Sequence, residues 1–301
     1  MLKEDVALTA AIVGSMSAGV LVPAIGKLIE PYTLAWLGAL LFLNLLRVDS
    51  SDLVAVFAKP RRLAVLSVIK LVALPSGMYA LAYFVYEPFA LPVLLLSGIS
   101  TGLGAPFVVN LIGGQLPLVI GMIIITSIAV PFVLPLIVYA LAHSQFEIPL
   151  LHMIFLLSVA LFTPLAASWL TKKFFPAGSR FADKNSFALS LIFIVLINWG
   201  MFSKFAGLFY SEHIFLLQTI ATASLCYAAY CLVGYVGVVG NPQDKRAGLI
   251  ATSYINNVLV AVLAFQFFGP NVGALAVLYN IPYYIGIIVI KNVSLASRVS
   301  H

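Results

Sequence analysis

Charge is what this sequence has least of. Charged residues make up 9% of the 301, against about 25% in a soluble globule. So little charge cannot cover a surface in water, which excludes a soluble enzyme. The polar, charge-rich composition of a disordered chain is equally missing. Cysteine is scarce too: Cys226 and Cys231 are the only two. They stand five apart in one apolar run, on different faces of a helix, which leaves them as packing residues rather than a disulfide or metal pair. The four histidines (His143, His152, His213 and His301) lie in loops or at ends without metal-ligand spacing. No metal and no cofactor are expected. No Asp or Glu falls deep within an apolar run.

What is there is hydrophobic. Apolar residues make up 62% of the chain and mean hydropathy is +1.11. A helix needs about 20 apolar residues to cross a bilayer. Reading the apolar runs between charge and turn clusters predicts ten spans, at about 6–26, 32–48, 61–86, 88–113, 116–142, 149–171, 185–203, 212–238, 245–268 and 271–292. The fold class is therefore an all-α integral membrane protein with little outside the lipid bilayer. The mixed charges of Met1 to Asp5, and an apolar run that continues past Val20, read as a first span rather than a secretory leader.

The net charge of +6 is a topology signal and not a nucleic-acid signal. With both termini and the even-numbered loops on one side, that side holds Lys3, Arg47, Lys59, Arg61, Arg62, Lys172, Lys173, Arg180, Lys184, Lys245, Arg246, Lys291 and Arg298. The other side holds Lys27 and Lys204. The excess places both termini in the cytoplasm, with the chain in the plasma (inner) membrane. Trp36, Trp169 and Trp199 read as interface anchors.

Ten spans divide into five plus five, and an odd-numbered half enters the membrane in the opposite sense from its copy. At an offset of about 150 residues Asn44 (LLFLNLL) has a counterpart in Asn198 (FIVLINW). The small and polar stretch Ser97-Gly98-Ile99-Ser100-Thr101-Gly102-Leu103-Gly104-Ala105-Pro106 in span 4 has one in Thr252-Ser253-Tyr254-Ile255-Asn256-Asn257 of span 9. Two inverted repeats, 1–148 and 149–301, are expected. Glycine and proline favour unwinding, and unwound backbone in a membrane must line protein or a watery cavity. Paired interruptions mark a transporter binding site; a kinked helix with small packing residues is the plainer alternative. Thr126 and Ser127 in span 5 either support the crossing or bond their own helix backbone, and the second is the preferred reading.

Lys70 is the one formal charge well inside a span, roughly 12 Å beyond Arg62 at 1.5 Å per residue. A charge at that depth marks function unless it snorkels to an interface. With no acid at the same depth, its partners are carbonyls, amide oxygens, water or a substrate anion, or else desolvation leaves it neutral part of the time.

The stretches GALLFLNLLRVDSSDL and AKPRRL, Pro75 five residues after Lys70, the polar break of span 4, the run through Pro131 and Pro135, and SYINN of span 9 together resemble the bile acid:sodium symporter family over essentially the whole chain. The resemblance implies two inverted five-helix repeats. It also implies a panel domain from helices 1, 2, 6 and 7, a core domain from helices 3–5 and 8–10, broken helices 4 and 9 crossing in the core, and transport of an organic anion by alternating access. Carried over residue by residue, it exposes departures. Ala105 and Pro106 stand where sodium-coupled members have Ser-Asn. Thr252, Asn256 and Asn257 stand for Glu and Gln-Asn, and Lys70 stands for a Gln that ligates sodium. An acid is lost and a cation gained, so sodium is doubtful as a coupling ion. The expectation is a sodium-independent carrier with Lys70, Thr252 and Asn256 at the former ion site. Proton coupling through Lys70 and ordinary sodium symport are the alternatives. Asn44, Ser100, Thr101, Asn110, Asn198, Tyr254, Asn256 and Asn257 are the expected contacts of a small organic anion.

Other classes are weaker. Ser67 and Lys70 share a helix face as Ser-x-x-Lys, the spacing of some lysine-assisted serine hydrolases, but no oxyanion segment accompanies them and no catalytic residue is expected. Broken helices also line channels, whose flux does not saturate. The helix 4 cysteine of metalloid exporters has no counterpart between Phe89 and Gly113.

Overall fold

A computed structural model describes residues 2–46, 60–143, 149–178, 182 and 185–299. Among them the chain is almost wholly helical, and the only β-type pairing is one isolated antiparallel bridge between Thr101 and Ile255. Six helical stretches are long and apolar enough to cross a membrane: Pro23–Leu46, Pro60–Gly98, Leu116–Ala142, Leu150–Phe174, Ser186–Lys204 and His213–Gly237. Ala10–Leu21 and Asn257–Phe268 are shorter apolar helices. Of the predicted cytoplasmic charges, Arg47, Lys59, Arg180 and Lys184 fall outside the described residues.

The chain divides into two compact units. One comprises Met1–Val48 with Ser158–Gln218, and the other Asp49–Leu157 with Thr219–His301. The first is built on α1 (Leu2–Leu21), α2 (Pro23–Ile29), α3 (Thr33–Leu46) and the later helix Ser186–Lys204. Pro23 has no N–H to continue α1, and the chain restarts there as α2. Gly200 is pressed against Glu30 and Thr33, the close approach small residues allow between membrane helices.

In the second unit α4 (Pro60–Val68) passes through a π-helical turn, Ile69–Ala73, into α5 (Leu74–Tyr86). The Leu74 N–H donates to the Ile69 carbonyl, five residues back. Pro75 explains the widened turn. It has no N–H to offer the Leu71 carbonyl, and its ring would clash in an unbroken α-helix. There follow α6 (Ala90–Gly98), α7 (Ala105–Ile112) and α8 (Leu116–Ala142), the last with Pro131 and Pro135 inside it. α7 ends at Gly113, whose φ of 67° suits glycine. The Gly114 N–H then returns to the Val109 carbonyl at 2.9 Å, and an Arg246 guanidinium N–H donates to the Ile112 carbonyl at 3.1 Å.

Leu150–Phe174 is α9, Ser186–Lys204 is α10, Ala206–Ser211 is α11 and His213–Gly237 is α12. The chain closes with α13 (Pro242–Ser253), α14 (Asn257–Phe268), α15 (Pro270–Leu278) and α16 (Asn280–Val299). The helix between Leu2 and Leu21 begins a few residues before the predicted run, and the run predicted at 271–292 is two helices that meet at Tyr279. α12 and α13 touch backbone to backbone. A methyl group added to Gly234 would overlap the Thr252 hydroxyl and the Gly248 carbonyl.

Candidate functional site

The polar interruptions of the second unit assemble from backbone need. Helix geometry stops after Gly98 and resumes at Ala105; it stops again after Ser253 and resumes at Asn257. The two gaps meet. The Gly102 N–H donates to the Tyr254 carbonyl at 2.7 Å, and the Asn256 N–H to the Ser100 carbonyl at 2.9 Å. Gly102 is required by this approach, since a Cβ there would strike the Ile255 carbonyl. Thr101 completes the junction: its hydroxyl donates to the Ala251 carbonyl at 2.7 Å and its N–H to Thr126 Oγ1 at 3.0 Å. Thr126 also donates to the Met122 carbonyl of its own helix. Thr126 therefore does both things the sequence offered: it bonds its own backbone and supports the junction.

Each interrupted helix leaves carbonyls without intrahelical donors at its C-terminal end. Ser253, the last residue of α13, has its carbonyl met by the Tyr279 hydroxyl at 2.8 Å. Ser97, in the last turn of α6, has its carbonyl met by the Lys70 ammonium, also at 2.8 Å. One helix end thus receives a phenol and the other the Lys70 amine, which when protonated carries the sign that the negative end of a helix dipole favours. Lys70 is 0% exposed, so it does not reach an interface. Its Nζ lies 5.6 Å from the centre of the Tyr230 ring. Among the described residues no carboxylate pairs with it. Its acceptor stands on α6 and not, as the sequence suggested, on span 9.

The remaining expected residues are placed as follows. Thr252 is fully buried and donates to the Tyr230 carbonyl at 2.7 Å, so Thr252 and Lys70 converge on one tyrosine from its carbonyl and its ring. Asn256 caps α14, its side-chain oxygen accepting from the Leu259 N–H at 3.3 Å. Asn257 donates to the Asn280 side-chain oxygen at 2.6 Å. The Tyr254 hydroxyl lies 3.0 Å from that of Tyr227. Ser100 is fully buried and its hydroxyl has no partner. Asn110 is exposed on α7 and takes no part in the junction.

In the first unit Asn44 donates to the Leu40 carbonyl of its own helix at 2.9 Å, and Asn198 is buried with an unpaired amide N–H. Those two are not brought together. Gly200 lies against Thr33, whereas Asn44 is about 16 Å further along α3 at 1.5 Å per residue. The Ser67 hydroxyl donates to Met122 Sδ at 3.4 Å and does not hydrogen-bond to Lys70. Among the described residues no cluster of His, Cys, Asp or Glu could hold a metal ion. Ser97, Tyr230, Tyr279 and Asn280 are the partners that sequence reading missed.

Six helices of membrane-spanning length and apolar composition among the described residues define a multi-pass membrane protein. The chain belongs to the sodium bile acid symporter family, whose model matches residues 34–212, more than half of the 301. Membership implies a secondary transporter of bile acids or other organic anions. Lys70 lies within the matched residues; Thr252, Tyr254, Asn256 and Asn257 lie beyond them. No curated protein matches the chain.

Proposed function

We propose that this protein carries a small organic anion across the cytoplasmic membrane by alternating access, without sodium, and that Lys70 stands in the place of a bound ion. In this reading ten spans form two inverted repeats, 1–148 and 149–301, with both termini cytoplasmic. The division into one unit of Met1–Val48 with Ser158–Gln218 and a second of the remaining segments supports a panel built from helices 1, 2, 6 and 7 and a core from helices 3–5 and 8–10. The meeting of the two helix gaps at Thr101 and Ile255 supports broken helices 4 and 9 as the core's crossing pair. Ser100, Thr101, Tyr254, Asn256 and Asn257 are its proposed substrate contacts. Asn44 and Asn198 are proposed contacts on the panel, and Asn110 on α7.

The observation that carries sodium independence is the Lys70 amine, fully buried, donating to the Ser97 carbonyl with no carboxylate paired to it among the described residues. A fixed cation meets the need for positive charge at that helix end, and a second cation beside it would be repelled in a medium of low dielectric. The family's description as sodium symporters favours the competing reading of sodium coupling.

Uptake into proteoliposomes separates them. A panel of labelled organic anions that includes a bile acid is supplied in sodium and in potassium media. Saturable uptake at the same rate in both is expected. Uptake that needs sodium contradicts the proposal, and flux that does not saturate makes the protein a channel.

A further inference from the structure

The ammonium of Lys70 has three N–H bonds, and among the described residues one of them is given to a hydrogen-bond acceptor, the Ser97 carbonyl. Its other close neighbour is the Tyr230 ring, within the distance at which an aromatic face attracts a cation. Tyr230 is fully buried and held from several sides. Its ring packs on that of Tyr279 with centroids 6.0 Å apart, and its carbonyl accepts from the Thr252 hydroxyl. The Tyr230 hydroxyl, by contrast, lies near Cys226 and Ser97 without a hydrogen bond of standard geometry. The ring is the part of this side chain that faces the Lys70 Nζ.

We propose that the Ser97 carbonyl and the Tyr230 face form a receptacle for one primary ammonium group, with Tyr230 as the residue that positions Lys70. When the Lys70 side chain is cut back, the receptacle takes a free primary alkylammonium ion. This deepens the reading of Lys70 as a fixed cation and rests on it. A helix-end carbonyl and a ring face suit an ammonium, which needs one acceptor and a negative surface. They are a poor fit for a small metal ion, which needs a shell of oxygens. The π-helical turn at Ile69–Ala73 sets where Lys70 faces on its helix, and the C-terminal carbonyls of α6 set where the charge ends.

The test uses Lys70→Ala protein purified in detergent, with n-propylammonium replacing the three carbons and the ammonium that were removed. Saturating amine is expected to raise its melting temperature by roughly 5 °C. Wild type should not respond, and n-propanol, which has the same shape without the charge, should leave the variant unmoved. Adding Tyr230→Phe should preserve the response, and adding Tyr230→Leu should abolish it. An equal rise with propanol, or a response that survives Tyr230→Leu, overturns the proposal.

If Lys70→Ala does not yield folded protein, Lys70→Met serves in a double-mutant cycle. Tyr230→Leu should then lower the melting temperature more with Lys70 present than with Lys70→Met. Equal losses mean that Tyr230 only fills space, which also overturns the proposal. None of these readings involves sodium. Wild type stabilised by sodium would defeat the sodium-independent carrier and leave the amine response standing, and a missing amine response would defeat the receptacle alone.

Discussion

Arg62→Gln is expected to cost about 3 kcal/mol of stability, and Asp244→Asn only about 1 kcal/mol, although both break the same ion pair. The asymmetry comes from burial. Asp244 is 1% exposed and Arg62 37%, so removing the arginine takes a cation from a carboxylate in the interior, whereas removing the carboxylate returns a guanidinium to water. The buried carboxylate keeps other support. Asp244 sits in the first turn of α13, where its backbone N–H already donates to the capping Asn241 side chain at 2.8 Å and the helix dipole favours an anion. That is why the expected cost lies at the low end for a broken buried pair. Thermal melting of the two variants in one detergent checks the order. Equal losses would mean that the pair is solvated at both ends.

Gly234→Leu should be as damaging for a different reason. The obstacle to a side chain at Gly234 includes the Gly248 carbonyl, which is backbone. A flexible side chain could swing aside, but a helix must move as a body. Overpacking of this kind costs about 1–3 kcal/mol and sometimes more, and about 3 kcal/mol corresponds to a fall in melting temperature on the order of 5 °C in a chain of this size. Moving α13 away from α12 would also lengthen the bond from Thr252 to the Tyr230 carbonyl, which links that crossing to the surroundings of Lys70. Gly77, which has open space around its Cβ position, is the control: Gly77→Leu should be nearly neutral.

The sequence was most legible where chemistry contrasts with its surroundings. A lysine eight residues beyond the last loop arginine stands out in hydrocarbon, and so does a run such as Ser-Tyr-Ile-Asn-Asn. Backbone partners leave no such mark. The Ser97 and Ser253 carbonyls take donors because their helices end there, and no residue type announces that role. Tyr230 was hidden for another reason: among 13 tyrosines in apolar runs, nothing local separates the one beneath a cation from those that only pack. The π-helical turn did have a signal in Pro75, which removes the donor that an α-helix would use at that point. Asn44 and Asn198 are alike in local sequence, but local sequence does not carry the register of α3 against α10, which sets them apart.

The most direct measurement needs no substrate. Purified protein is melted in sodium and in potassium at equal ionic strength, alongside Lys70→Gln. A ligand that binds only the folded state stabilises it by about 2.7 kcal/mol at a hundredfold excess over its Kd. Wild type should melt at the same temperature in both salts, and Lys70→Gln, with the cation gone and an amide oxygen in its place, should be stabilised by sodium alone. A sodium-specific rise in the wild type would contradict the account.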